Sequence, residues 1–217
     1  MLLRPVQSLQ TRNLERIIKS GKIFVVSENS STGINVQLDS ISGFQYAIIK
    51  KFAERLNVAI EIAIINDLQE CIEGLNKGKY DIIAKYIPTT VEWEDEVSFS
   101  EPLIISRQML VQRMPERADE HFISTQYNLA GDTIHIPYNS PHKLRLQHLS
   151  DEIADTIYIV EMKDVTSEEL VSFVSQGKIR YTICHEQLSR KLTRDYANID
   201  ASLPVSLSQP YSWAINN

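Results

Sequence analysis

Asp81–Ser100, DIIAKYIPTTVEWEDEVSFS, is the stretch whose reading decides the fold. Its first residues form a near-continuous apolar run, as a buried strand requires. A loop follows, and then an acidic turn leads into FSEP. Immediately upstream, DLQECIEGLNKGK reads as a helix that delivers the chain to Tyr80 and Asp81.

Working outward, the same alternation recurs. NLERIIKS (residues 13–20) reads as a short helix closed by Gly21. KIFVVSE (22–28) is rich in β-branched residues and reads as a buried strand. The polar stretch NSSTGINVQLDSIS is read as a loop. GFQYAIIKKFAERLN (43–57) places Tyr46, Ile49, Phe52, Ala53 and Leu56 at helical spacing. VAIEIAII (58–65) completes a β-α-β-α-β series, which argues for a parallel sheet with helices on its faces.

SRQMLVQR (106–113) then follows without a long helix before it, and a second alternation begins. DTIHIPY, TIYIVEM and IRYTICH read as its strands; SPHKLRLQHL, SEELVSFVSQG and EQLSRKLTRDY read as its helices. Thr166 with Glu168 and Glu169 reads as an N-cap followed by acids in the first turn. The expected fold class is α/β, in two lobes of about 100 residues each. The expected lobes are residues 13–104 plus 207–217, and residues 105–206.

Composition sets bounds. Of the 217 residues, 43% are hydrophobic and 23% charged, in the range of ordinary globular proteins. The net charge of −6 and the lack of a long basic run exclude nucleic acid as the expected partner. No apolar stretch reaches the roughly 18 residues that span a membrane. The opening MLLRPVQSLQTRN lacks the apolar core of a secretory signal, so an exported form would need a signal missing from this sequence. Cys71 and Cys184 fall in different expected lobes and are expected as free buried thiols. The five histidines form no metal-binding spacing, and neither metal nor cofactor is expected.

The pieces IxxxGKIxVxS, GFQYxIxKxFAExL, G(K)xDxIxxxxxxTxExxxxVxFSxP, NLAGDTIHIPYNS and EELVSFVSQGKIRYTI, in that order along the chain, resemble the extracellular solute-binding proteins of family 3. SRQMLVQR, GKIRYTI and QPYSW are similar to segments of the substrate-binding-like domain that precedes the catalytic domain in membrane-bound lytic murein transglycosylases. The resemblance implies a two-lobed, periplasmic-binding-protein-like clamshell of type II, each lobe a mainly parallel sheet flanked by helices. It implies a ligand in the cleft, near the carboxyl ends of the strands.

The resemblance also supplies candidate ligand-binding residues. Glu28 and Ser31 lie in the loop after the first strand, as a polar wall or a solvated turn. Tyr86, Pro88 and Thr90 fall where family members offer backbone and hydroxyl groups; Thr90 alternatively caps the turn at Val91. Trp93 stands where the family's arginine clamps an α-carboxylate. An indole has one N–H and an apolar face, so Trp93 either stacks on a ligand ring or plugs the cleft. Ser140 precedes a helix, as part of an anion site or as a plain cap ahead of Pro141. His185 stands where the family often has an aspartate for the α-ammonium; it is a substitute of the wrong charge or a solvent-facing helix start. Glu186 is the neighbouring candidate for that anion. The acidic run Glu92, Glu94, Asp95 and Glu96 reads as a solvated face.

The expected function is a non-catalytic solute-binding or ligand-sensing domain of the bacterial envelope, periplasmic or lipid-anchored, acting as a monomer. The expected ligand is a small molecule, either an amino-acid derivative or a peptidoglycan fragment. An ABC permease or a fused transglycosylase domain is the expected partner. One alternative is the regulatory domain of a lytic transglycosylase whose catalytic domain lies outside this chain. A second is a dehydratase-like enzyme using Glu28, His185 and Glu186, and a third is the effector domain of a transcription regulator.

Overall fold

The computed structural model describes residues 12–37, 40–117 and 119–216. The opening residues 1–11, Asn217 and the side chain of Glu92 lie outside the described residues. The chain divides into two compact units, one of residues 12–29, 33–102 and 212–216, the other of residues 30–32 and 103–211.

The first unit opens with α1 (Leu14–Ser20). The Asn13 side chain accepts the Arg16 N–H, and Gly21, at φ 66°, ends the helix. Next come β1 (Lys22–Ser27), β2 (Asn35–Gln37), β3 (Ser40–Ser42), α2 (Phe44–Leu56), β4 (Ala59–Ile64), α3 (Leu68–Asn76), β5 (Ile82–Pro88), α4 (Val91–Glu94) and β6 (Ser98–Phe99). β1 pairs in parallel with both β4 and β5, the two crossovers being α2 and α3. Asp81, entering β5, ties this unit together. Its carboxylate accepts the Phe24 N–H at 2.8 Å and the Arg12 guanidinium at 3.0 Å.

The stretch read as a polar loop holds the β2–β3 hairpin instead. Three-residue strands carry too little periodicity to stand out in sequence. On α2 the buried face is Gln45, Ile49 and Ala53, whereas Phe52 is exposed. Gln45 occupies a core position because Tyr86 gives it a hydrogen-bond partner.

The second unit comprises β7 (Ile104–Ser106), β8 (Gln108–Arg113), β9 (Thr133–Pro137), α5 (His142–Glu152), β10 (Tyr158–Met162), α6 (Ser167–Ser175), β11 (Tyr181–His185), α7 (Glu186–Asp195) and β12 (Ile199–Asp200). The last strand, β13 (Gln209–Ile215), runs from the second unit into the first. The second sheet has the order β10-β9-β11-β8-β12. β10, β9 and β11 are parallel, β8 pairs antiparallel with β11, and β12 pairs antiparallel with β8. The first sheet is mixed in the same way, since β13 meets β6 and β7 antiparallel. Thr166 and Glu169 form a full capping box at the start of α6.

Cys71 and Cys184 are free, buried and in different units. Burial pushes the Cys71 thiol up and the Cys184 thiol up to about 12. Because the thiolate is the reactive form, neither should alkylate with iodoacetamide at pH 7.5 in the folded protein, and both should in denaturant. Fewer than two reactive groups in denatured, unreduced protein would contradict this placement.

A layer of buried polar side chains spans the second unit. Gln108 donates its backbone N–H to Ser206 Oγ (2.9 Å), and its Oε1 lies 2.8 Å from His142 Nδ1. Tyr211 bonds to Gln108 and Gln209, and Ser106 Oγ donates to Gln187 Oε1 at 2.7 Å. His185 Nδ1 accepts the Leu188 N–H at 3.2 Å, so that nitrogen must be unprotonated. Desolvation lowers His142 to about 3, with His185 adding to the effect. Desolvation also lowers His185 to about 4, partly offset by Gln187 and by the charge of Glu168.

Both folded values lie below the ordinary 6.5, so between about pH 6.5 and 4 the unfolded chain takes up protons that the folded one refuses. Stability is therefore complete above pH 6.5 and falls as the pH drops. The slope approaches about 1.4 kcal/mol per pH unit for each histidine. Urea unfolding across this window should show a shallower acid slope in His142→Gln/His185→Asn than in wild type. Identical slopes would contradict the neutral, buried assignment.

Candidate functional site

In the first unit the carboxyl ends of β1 and β5 meet. Ser27 Oγ donates to the Ala84 carbonyl at 2.6 Å and locks the two strands at that edge. The following loop is held rather than loose. Asn29 Oδ1 accepts the Val36 N–H, and Gly33 O accepts the Gln45 N–H. Gly43 makes that approach feasible, because a side chain there would meet Gly33 O at 2.1 Å. Glu28 is half-buried at the start of this loop. Residues 30–32 group with the second unit, where the Ser31 N–H donates to Glu168 at 3.1 Å.

β5 is buried on both faces. Its period of two sends Ile83 and Ile87 into the core that α3 covers with Leu68, Cys71, Ile72 and Leu75. Lys85 shares that face; its ammonium donates to the Asn66 carbonyl at 2.8 Å and hydrogen-bonds the Cys71 thiol. Tyr86 takes the other face and bonds to Gln45, and burial pushes its phenol up. Pro88 is buried at the strand's end. Thr90 stands at the start of α4 with an extended backbone but makes no side-chain cap. Its Oγ1 is buried with no hydrogen-bond partner among the described residues. The capping alternative for Thr90 is thereby corrected: the hydroxyl is not spent on the helix.

Trp93 lies partly buried against the first unit's core, as do Ala63, Ile65 and Phe99. Its indole thus has a packing role within its own unit.

In the second unit, Ser140 precedes α5, but the helix starts at His142 with Pro141 in the cap position and no side-chain cap. The N-capping alternative for Ser140 is therefore corrected. Its Oγ is buried and unbonded among the described residues. His185 does start a helix, as read, but it is buried and not solvent-facing, because its ring nitrogen caps α7 from within. Glu186 is already neutralised. Arg107 at 3.2 Å and Arg190 at 2.7 Å hold its carboxylate below the usual range. A ligand ammonium would have to compete with these two guanidiniums for it.

Sequence reading missed Lys85 and Gln45. The available signal was a lysine inside an otherwise apolar strand, DIIAKYIP, and a glutamine on the buried face of α2. Among the described residues no group of histidine, cysteine and acidic side chains could hold a metal ion, and no helix is long and apolar enough to cross a membrane.

Comparison with known proteins gives these arrangements a context. Membrane-bound lytic murein transglycosylase F of Desulfosudis oleivorans is 28% identical over 204 residues, which is 94% of this chain and 44% of that protein. Its namesake from Saccharophagus degradans is 30% identical over 96% of this chain and 41% of that protein. The chain thus spans about two fifths of the length of the curated relatives it matches. Among solved structures, the arginine-bound form of truncated ArgBP from T. maritima superposes with a TM-score of 0.78 at 21% identity, covering 94% of this chain and 92% of that one. Tv2483 bound to L-arginine gives 0.79 at 14% identity, covering 94% and 81%. At these identities the likeness shows the fold, that of the type II periplasmic binding proteins. Residues 23–143, more than half of the chain, match the sequence pattern of one family, and the chain belongs to the bacterial extracellular solute-binding proteins, family 3.

Proposed function

We propose that the chain is a non-catalytic small-molecule-binding domain of the bacterial envelope, and that its ligand is not a free amino acid. One observation carries the reading: of the two charges on which a free amino acid depends, the arginine is replaced by Trp93 and the neighbouring acid is already paired. Trp93 packs on its own core where the carboxylate clamp is expected, and Glu186 is bound by two guanidiniums next to a neutral His185. Ser31 Oγ, Thr90 Oγ1 and Ser140 Oγ are buried hydroxyls without a partner among the described residues, and with Glu28, Tyr86 and Pro88 they make up the proposed ligand-contacting set. An amino-acid derivative with a blocked nitrogen, or a peptidoglycan fragment, suits such a set.

The names of the curated relatives favour the second of these ligands and a regulatory role beside a transglycosylase domain over delivery to an ABC permease. Catalysis by Glu28, His185 and Glu186 has little support. Glu186 is held ionised by its arginines and His185 is held neutral, so neither is poised to exchange a proton near neutral pH.

Calorimetry with the twenty amino acids and with muramyl dipeptide tests the proposal. Losing a charged partner in a desolvated site costs about 2–5 kcal/mol, so muramyl dipeptide should bind at least about 30-fold more tightly than any free amino acid. A submicromolar Kd for a standard amino acid would sink the reading.

A further inference from the structure

We propose that Lys85 is a carboxylate anchor of the first unit, taking an acid group whose neighbouring nitrogen is acylated or absent. This inference rests on the small-molecule-binding reading above and names the chemistry of the ligand.

Lys85 lies on a strand buried on both faces and is 6% exposed. A lysine ammonium has three N–H donors and a full charge. Here it meets the Asn66 carbonyl at 2.8 Å and the thiol of Cys71, both neutral. Among the described residues no carboxylate forms an ion pair with it. Glu28 and Glu70 act on the neighbouring Cys71 only through space. Asp81 and Glu186, by contrast, each have an opposite charge in contact: Asp81 has Arg12, and Glu186 has Arg107 and Arg190. A buried charge without a counter-charge is costly to keep, and a ligand that supplies one recovers that cost on binding.

The position suits the role. Lys85 is the fourth of the seven residues of β5, and its ammonium reaches the Asn66 carbonyl just beyond the carboxyl end of β4, the edge at which open α/β sheets take ligands. It stands one residue from Tyr86 and five from Thr90, whose hydroxyl is unbonded. It lies on β5, whereas Trp93, in the arginine's place, lies beyond the strand on α4. The positive charge lacking at position 93 is therefore present at another point of the same chain segment. Glu186, the acid beside His185, is already paired with Arg107 and Arg190, which fits a ligand whose nitrogen carries no charge.

The test compares N-acetylmuramic acid with its uncharged carboxamide, by calorimetry, on wild type and Lys85→Met. Wild type should bind the acid at least about 30-fold more tightly than the amide. Lys85→Met should bind both equally weakly while melting above wild type, since it removes an uncompensated buried charge. If the variant does not fold, lysine ¹³Cε NMR on the wild type serves. The acid should shift one buried lysine resonance and the amide should not. Equal binding of the acid by wild type and variant overturns the anchor and leaves the binding-domain reading standing. No binding of either probe, or no lysine shift, overturns the anchor; muramyl dipeptide calorimetry then decides the broader reading separately.

Discussion

A cation on a strand buried on both faces is costly to keep without a counter-charge, and Lys85 on β5 is such a cation. The strand cannot turn the lysine outward, because its period of two is already spent. One face carries Ile83 and Ile87 into the core under α3, and the other carries Tyr86 to Gln45 of α2. Slipping the register by one residue would put the ammonium on the opposite face and Tyr86 into the aliphatic core. The parallel pairing of β1 with β5, and the Asp81 carboxylate that bonds Phe24 of β1, fix that register. The ammonium is thus delivered to the carboxyl edge of the sheet by the same contacts that build the sheet.

The second unit solves the same problem with neutral groups. Its buried layer is made of Gln108, Gln187, Ser106, Ser206, Tyr211 and two histidines that burial keeps uncharged. Every hydrogen bond in such a layer restricts its neighbours, which gives rigidity without a desolvated charge. Where charge does occur, at Glu186, two arginines settle it locally. The first unit presents an unsettled positive charge, and the second presents hydroxyl and amide groups.

Much of the architecture was legible in the sequence because long elements repeat their signal. The run Asp81–Pro88, the alternation of strands with helices, and the Thr166–Glu169 cap each state a period or a spacing that only one local structure satisfies. The β2–β3 hairpin was not legible, since three residues cannot establish a period. The site was less legible than the fold for a related reason. Whether Ser140 caps a helix, whether His185 faces solvent, and whether Phe52 or Gln45 is the buried residue of α2 are decided by neighbours distant in sequence. Gln45 is in the core because Tyr86 is there to receive it, forty-one positions away, and no local pattern encodes that. Lys85 was hidden by its own context, as one polar letter in a strand whose apolar majority dominated the reading.

The most direct measurement is hydrogen exchange, amide by amide, with and without muramyl dipeptide. Protection concentrated in residues 84–90 and around residues 138–142 is the result this account predicts, because those segments carry Lys85, Tyr86, Thr90 and Ser140 at the carboxyl ends of their strands. Saturating ligand with exchange unchanged in both segments, or with protection confined to elements far from those strand ends, would contradict it.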